Sequence, residues 1–295
     1  IADQSKTLLT QLQTARQALE DAILADTVSE DTIRAAANKI AGIEDASVFL
    51  YPIDGYGSPE AVRQLIAMEQ PDAIMMFTDP RYWVWLFQME HEIRKHIPMI
   101  YLNIWDDLPY PMYNKAYYES CDTLLAISKQ TENINRSVLG PELAAEKVIK
   151  YVPHGINENM FFPITSEHPE YLALQEFKKQ LFNGKEYDYV LHYNARNIRR
   201  KSVPDLMLAW KIFMDELSEN QKSKCAFVLH TQVVDENGTD LPAVYDMLFG
   251  NNEEGLYNIV WSTQRLIPQH MNWLYNCANI DVLISSNEGW GLSLT

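Results

Sequence analysis

The stretch "YDYVLHYNARNIRRKSVPDLMLAW", Tyr187 to Trp210, decides how the chain is read. It opens on a short apolar run that reads as a strand and closes on the start of the helix "VPDLMLAWKIFMDEL". Between them, Arg196, Arg199, Arg200 and Lys201 place four of the chain's 24 basic residues within six positions. Ser202 is the expected N-cap, and Pro204 falls in the first turn. A helix N-terminus presents unpaired N–H groups and a partial positive charge. With Arg and Lys side chains added, the expectation is a phosphate site. The bland alternative is a solvated basic turn.

Strand, turn and helix then repeat on both sides. Upstream come "ASVFLYPI", helix "EAVRQLIAME" behind Ser58-Pro59, "DAIMMFT", helix "YWVWLFQMEHEIRKH", "IPMIYLNIW", helix "NKAYYESC", "DTLLAIS", helix "KQTENINRSVL" and "KVIKYVP". Downstream come "KCAFVLHT", helix "PAVYDMLF", "YNIVWS", helix "PQHMNWLYNCA" and "IDVLIS". Strands separated by helices of this length make βαβ units and parallel sheets. The alternation lapses between 163 and 187, where Pro163, Pro169 and Gly184 sit in a polar stretch with one short helical patch. The predicted fold class is therefore α/β, two Rossmann-like doubly wound domains at 47–165 and 187–295, joined by a linker at 166–186. Ligands in such folds bind at the carboxyl ends of strands.

Residues 1–46 do not fit that scheme. Apolar residues at 8, 12, 15, 19 and 22 have helical spacing, and Ser29 caps a second helix. This atypical N-terminal helical hairpin resembles those of small periplasmic chaperones of the Spy type, or reads as a foreign or misjoined segment in a chain whose true first strand is missing.

Composition limits the function. Forty acidic residues against 24 basic give a net charge of −16, unsuited to general binding of nucleic acid or anionic membranes. Three widely separated cysteines suggest reduced thiols and a cytoplasmic setting. No apolar stretch reaches the roughly 18 residues of a transmembrane helix.

Two further turns follow strands. In "VPHGINENMFFPI", His154-Gly155 makes a turn where backbone can approach a ligand. In "SNEGWGLSLT", Glu288 lies between Asn287 and Gly289; Gly289 and Gly291 permit tight backbone with exposed N–H groups, and Trp290 can pack beneath them. A Glu at that edge can accept a sugar hydroxyl or balance a cation. Each turn alone is weak. Asp106 and Asp107 in "NIWDDLPYP" could face a second substrate, but no third ligand is evident and no metal is expected. The aromatics of "RYWVWLF" fit a sugar-stacking surface or, at near-helical spacing, the core.

Together, "VPHGIN", "ARNIRRK" and "NEGWGLSLT" resemble, in order and spacing, the motifs of the GT-B glycosyltransferases of retaining family 4. The resemblance spans about residues 47–295 and not 1–46. It implies an acceptor-side first domain and a second domain that binds a nucleoside-diphosphate sugar as co-substrate, with no cofactor. By that resemblance Arg196 and Lys201 would hold the diphosphate and Glu288 would contact the donor sugar. The Gly289–Leu292 backbone, with Trp290 and Gly291, would cap sugar and phosphate. His154, Gly155, Asn287 and Asp106 would line the substrate. The family's second Glu falls one position beyond Thr295, so the donor site is expected to continue past the last residue, with both ends of the chain being cuts. Three departures stand out. Ala195 replaces a Gly; Thr78 and Asp79 stand where many members have a His, with Asp79 the catalytic candidate; and the glycine-rich loop after the first strand is missing. The partners implied are a nucleotide-sugar donor and a glycan, lipid or small-molecule acceptor, at the cytoplasm or the inner face of the membrane. An epimerase or a non-catalytic nucleotide-sugar or glycan-binding module are the alternatives.

Overall fold

The computed structural model describes residues 49–250 and 256–295. The elements, in order, begin with α1 (Pro59–Glu69), β1 (Ile74–Phe77), α2 (Val84–Gln88), α3 (Glu90–Ile93) and β2 (Met99–Asn103). They continue with α4 (Lys115–Glu119), β3 (Thr123–Ala126), α5 (Lys129–Leu139), α6 (Pro141–Glu146), β4 (Val148–Tyr151) and α7 (Tyr171–Leu181). The last group is β5 (Tyr189–Asn194), α8 (Val203–Asp215), α9 (Glu219–Lys222), β6 (Cys225–His230), α10 (Leu241–Phe249), β7 (Ile259–Ser262), α11 (Pro268–Asn276) and β8 (Ile280–Asp281). The predicted hairpin at 1–46 lies outside the described residues.

Two four-stranded sheets result, and every pairing in them is parallel. The first runs β1-β2-β3-β4 and the second β7-β6-β5-β8. Strand order in the second sheet reverses between β5 and β8, and such a reversal opens a crevice at the strands' carboxyl ends. The first core gathers Met76, Met99, Tyr101 and Leu124 under Phe87, Ile134 and Val138. The second gathers Tyr193, Phe227 and Leu229 under Val203, Met207 and Trp210. β6 is buried along almost its whole length, which accounts for its unbroken apolar run. Among the caps, Ser58 Oγ accepts from Ala61 N at 3.2 Å and Ser128 Oγ from Thr131 N at 3.0 Å, fixing where α1 and α5 begin.

By its contacts the chain divides into two units. One contains Tyr56–Thr263 and Asn272–Thr295, and with them both sheets. The described part of the other is residues 49–55 and Gln264–Met271.

Three local expectations are corrected. Residues 49–53 of "ASVFLYPI" form no strand, and Phe49 is 62% exposed. An apolar run becomes a strand only by pairing, and among the described residues it has no ladder partner. The single helix expected from Tyr82 is broken into a 3₁₀ turn (Pro80–Trp83), α2 and α3. The apolar run at 280–285 keeps only a two-residue strand, β8.

Candidate active site

The loop after β5 is shaped by its backbone. A 3₁₀ turn over Arg199–Lys201 runs into Ser202, which adopts φ 47° and ψ 38°. Ser202 stands at the N-cap position, but its side chain caps nothing; its carbonyl accepts from Leu206 N at 3.1 Å and so opens α8. The expected Ser202 cap is thus replaced by a left-handed kink. The kink leaves Lys201 buried at 9% exposure.

Lys201 Nζ donates to Glu288 Oε1, from the loop after β8. Arg200 Nη1 lies 3.0 Å from the same oxygen and donates to the Asn287 carbonyl at 2.6 Å. Ser286 N donates to the Arg200 carbonyl at 2.9 Å, closing the two loops against each other. Ser285 Oγ sits between the Arg200 and Asn287 carbonyls, at 3.1 and 2.9 Å. Two cations and one carboxylate therefore meet at the β5/β8 reversal.

Arg196 is not part of this cluster. Its guanidinium forks onto Asp235, Nε to Oδ2 at 2.6 Å and Nη2 to Oδ1 at 3.1 Å. The resemblance pairs Arg196 with Lys201; the fold brings Arg200 to Lys201 instead. The loop carrying Arg196 is clamped by buried Asn197, whose Nδ2 donates to Thr239 O at 2.6 Å. Arg199 N donates to Asn237 O at 3.1 Å.

Burial raises the Glu288 carboxyl. Hydrogen bonds from Lys201 and Ser285, with the charges of Lys201 and Arg200, outweigh it, and the net value lies below the ordinary one. A carboxylate held low in the fold contributes stability above its unfolded pKa, and loses it as pH falls through the folded pKa. Replacing Lys201 by Met leaves burial less opposed. Lys201→Met is therefore expected to be less stable than the wild type near neutral pH, with the gap closing as pH falls and Glu288 takes up its proton, whereas Arg136→Met, in an exposed pair with Glu132, changes stability little. Equal denaturant stability of Lys201→Met and wild type at neutral pH would deny the pair any role.

Beneath the cluster, His192 on β5 is fully buried and its Nδ1 pairs with Asp281 on β8. Tyr275 meets the imidazole edge-on at 5.1 Å, and its hydroxyl accepts from Asn194 Nδ2 at 2.8 Å. These residues bind β8 beside β5. Sequence reading placed Arg200 in the basic turn without singling it out, and missed Ser285 and this pair as site residues; the available signal was a His and an Asp placed inside apolar runs.

The remaining expected residues scatter along the carboxyl edges. An added Cβ on Gly289 would stand 3.0 Å from the Ile104 carbonyl, so the Glu288 turn abuts the end of β2. Gly291 has φ +82°, a left-handed conformation that suits Gly. Trp290 Nε1 donates to Thr295 Oγ1 at 2.8 Å, and Leu292 is exposed. His154 packs edge-on to Phe77 at 6.1 Å, carrying the loop after β4 to the end of β1. Gly155 has open space around it. The Asp79 carboxylate accepts from Arg81 N at 2.9 Å and Arg81 Nη2 at 2.6 Å, so it is engaged locally. The Asp106 carbonyl accepts from Gln130 Nε2 at 3.2 Å, and its carboxylate has no ion pair among the described residues. Among the described residues no group of three His, Cys, Asp or Glu is placed to hold a metal. None of the described helices is long and apolar enough to cross a membrane.

No family model and no curated protein sequence matches the chain. Solved structures do. A sucrose-phosphate synthase from Thermosynechococcus elongatus superposes with TM-score 0.56 at 14% identity, over 92% of this chain and 60% of its own. A UDP-forming trehalose-phosphate synthase from Burkholderia vietnamiensis gives 0.53 at 10%, over 92% and 59%. The trehalose-6-phosphate protein from E. coli bound with UDP-2-fluoro glucose gives 0.57 at 14%, over 83% and 60%. The fold is GT-B. This GT-B chain spans about 60% of the length of these relatives, and at such identity the likeness speaks for the fold alone.

Proposed function

We propose that the chain is a retaining glycosyltransferase of the family 4 kind, moving a hexosyl unit from a nucleoside-diphosphate sugar to an acceptor hydroxyl. The observation that supports it most is the convergence of Lys201 and Arg200 on Glu288 at the β5/β8 reversal, with the Gly289 backbone against the Ile104 carbonyl. In this reading 187–295 is the donor side, 166–186 the connection and 47–165 the acceptor side.

The Glu288 carboxylate stands in for an anion. An arriving diphosphate shares or takes over the two cations, and Glu288 turns to a sugar hydroxyl. Charge then builds on the departing phosphate oxygens, where fixed cations stabilise it most. Arg196 is a second-rank donor to the phosphates, since it must first leave Asp235. Transfer on the same face, with the leaving phosphate accepting the acceptor proton, is the route that the family resemblance implies. An epimerase needs free acid–base carboxylates on the acceptor side. Asp79 is bound to Arg81 and Asp107 Oδ1 accepts from Leu108 N at 2.8 Å, which leaves Asp106 the less engaged carboxylate and makes that reading the weaker one. The three cysteines are free and buried, which favours a reducing, cytoplasmic setting.

The test is calorimetric titration of UDP, GDP, ADP and TDP into the full-length protein, with Lys201→Ala beside it. Binding of one diphosphate that vanishes in the variant supports the donor site and names the base. A folded protein that binds none of the four sinks the proposal and leaves a GT-B fold with another use.

A further inference from the structure

The carboxyl edge of the first sheet carries an aromatic surface that the donor site does not use. Tyr56 and Tyr82 stack face to face, with ring centroids 4.1 Å apart and planes 12° from parallel. Both remain nearly half exposed, at 45% and 46%. Trp83 braces Tyr56 edge-on at 6.0 Å and contacts Trp85 at 6.1 Å. Both tryptophans pack on the first core, so the tyrosines rest on a rigid base. A third exposed ring, Tyr113, lies edge-on to core-packed Trp105 at 5.8 Å.

Polar groups of fixed direction border these rings. Arg81 is exposed but aimed by its fork onto Asp79. The turn into this surface passes through Thr78 at φ 149°, a strained conformation for a β-branched residue. The Thr78 carbonyl accepts from the buried Tyr101 hydroxyl at 2.8 Å, which holds the strain in place.

The surface also lies beside the donor turn. β1 and β2 are adjacent and in register, Phe77 opposite Leu102. The aromatic turn that follows β1 therefore leaves the same sheet edge as the neighbouring β2 end, where Gly289 meets Ile104.

Flat, half-exposed tyrosines beside a guanidinium–carboxylate fork suit one ligand chemistry. A sugar ring offers an apolar C–H face to the aromatic plane and a rim of hydroxyls to the fork and phenols. An acyl chain would need an aliphatic groove free of charge, and nucleic acid is repelled by a net charge of −16. We propose that the acceptor is a carbohydrate whose ring stacks on the Tyr56–Tyr82 surface, with Arg81 and Asp79 reading its hydroxyls. The direction of transfer rests on the glycosyltransferase reading; the stacking itself does not.

The test is binding of the full-length protein, saturated with whichever diphosphate the titration selects, to a printed array of mono- and oligosaccharides. Phosphatidylethanolamine–phosphatidylglycerol vesicles form a second arm. Expected is glycan binding that weakens about tenfold or more in Tyr82→Ala and Tyr56→Ala, the loss of one aromatic stacking contact. Tyr82→Phe should retain it, and the diphosphate affinity of all three should match wild type, which shows that they fold. Glycan binding that survives both alanines overturns the proposal. So does Tyr82-dependent vesicle binding without glycan binding, or a protein that binds diphosphate and no glycan. A protein that binds glycan through Tyr82 but no diphosphate keeps the stacking surface and loses the transferase reading.

Discussion

Lys201→Ala is expected to lower hydrolysis of the preferred nucleotide sugar by about 10²–10³-fold, as loss of one preorganised charge donor does in other enzymes. Arg200→Ala should approach it, because Arg200 both neutralises Glu288 and holds the Asn287 carbonyl. Arg196→Ala should cost much less, since its guanidinium is already matched by Asp235. Measuring kcat, KM and diphosphate affinity for the three variants separates the possibilities. Were Arg196→Ala the most damaged, the pairing suggested by the linear motif would be the functional one, and the cluster at Glu288 would be a resting contact.

The second large effect lies outside the cluster. A Cβ on Gly238 would fall 1.8 Å from the Asn197 carbonyl oxygen, a backbone atom with no rotamer to escape by. Gly238→Ala must therefore push apart the loops 233–239 and 195–199, breaking the Asn197–Thr239 and Arg199–Asn237 bonds. A cost of ~3 kcal/mol is expected, which lowers the melting temperature by roughly 6–12 °C. Donor binding should weaken as well, because the displaced loop leads directly into the turn that carries Arg200 and Lys201. Gly155→Ala, at an open position, is the control for the melt, which it should not change. A Gly238→Ala melt within a degree or two of wild type would mean that the loops are not clamped as described.

Much of the fold was written in local pattern. Lys129–Leu139 forms a helix where polar and apolar residues alternate at helical spacing behind Ser128, and Cys225–His230 forms a strand buried on both faces because almost every residue is apolar. Residues 49–53 look equally apolar, yet strand formation is settled by a partner elsewhere in the chain, which no local pattern reveals. The candidate site divides in the same way. The basic turn after β5 and the glutamate after β8 were legible as residue types at strand ends. Which of four cations turns inward was not, because that depends on the left-handed Ser202 and on Gly238, 36 residues further along the chain from the Ser202 kink. The aromatics of "RYWVWLF" were ambiguous for the same reason: Trp83, Trp85, Leu86 and Phe87 join the core, and only the structure shows Tyr82 left outside it.

The reversal of strand order between β5 and β8 also bears on how the second sheet is held together. Lys201 and Glu288 are 87 residues apart, and β8, only two residues long, is the shortest strand described. A ligand that grips both loops would act as a clasp on that outermost strand. Occupancy at a hundred times the dissociation constant is worth about 2.7 kcal/mol to the folded state. That increment would fall on the strand with the fewest ladder bonds, so amide protons of Ile280–Asp281 and the residues after them should slow their exchange first when nucleotide is added.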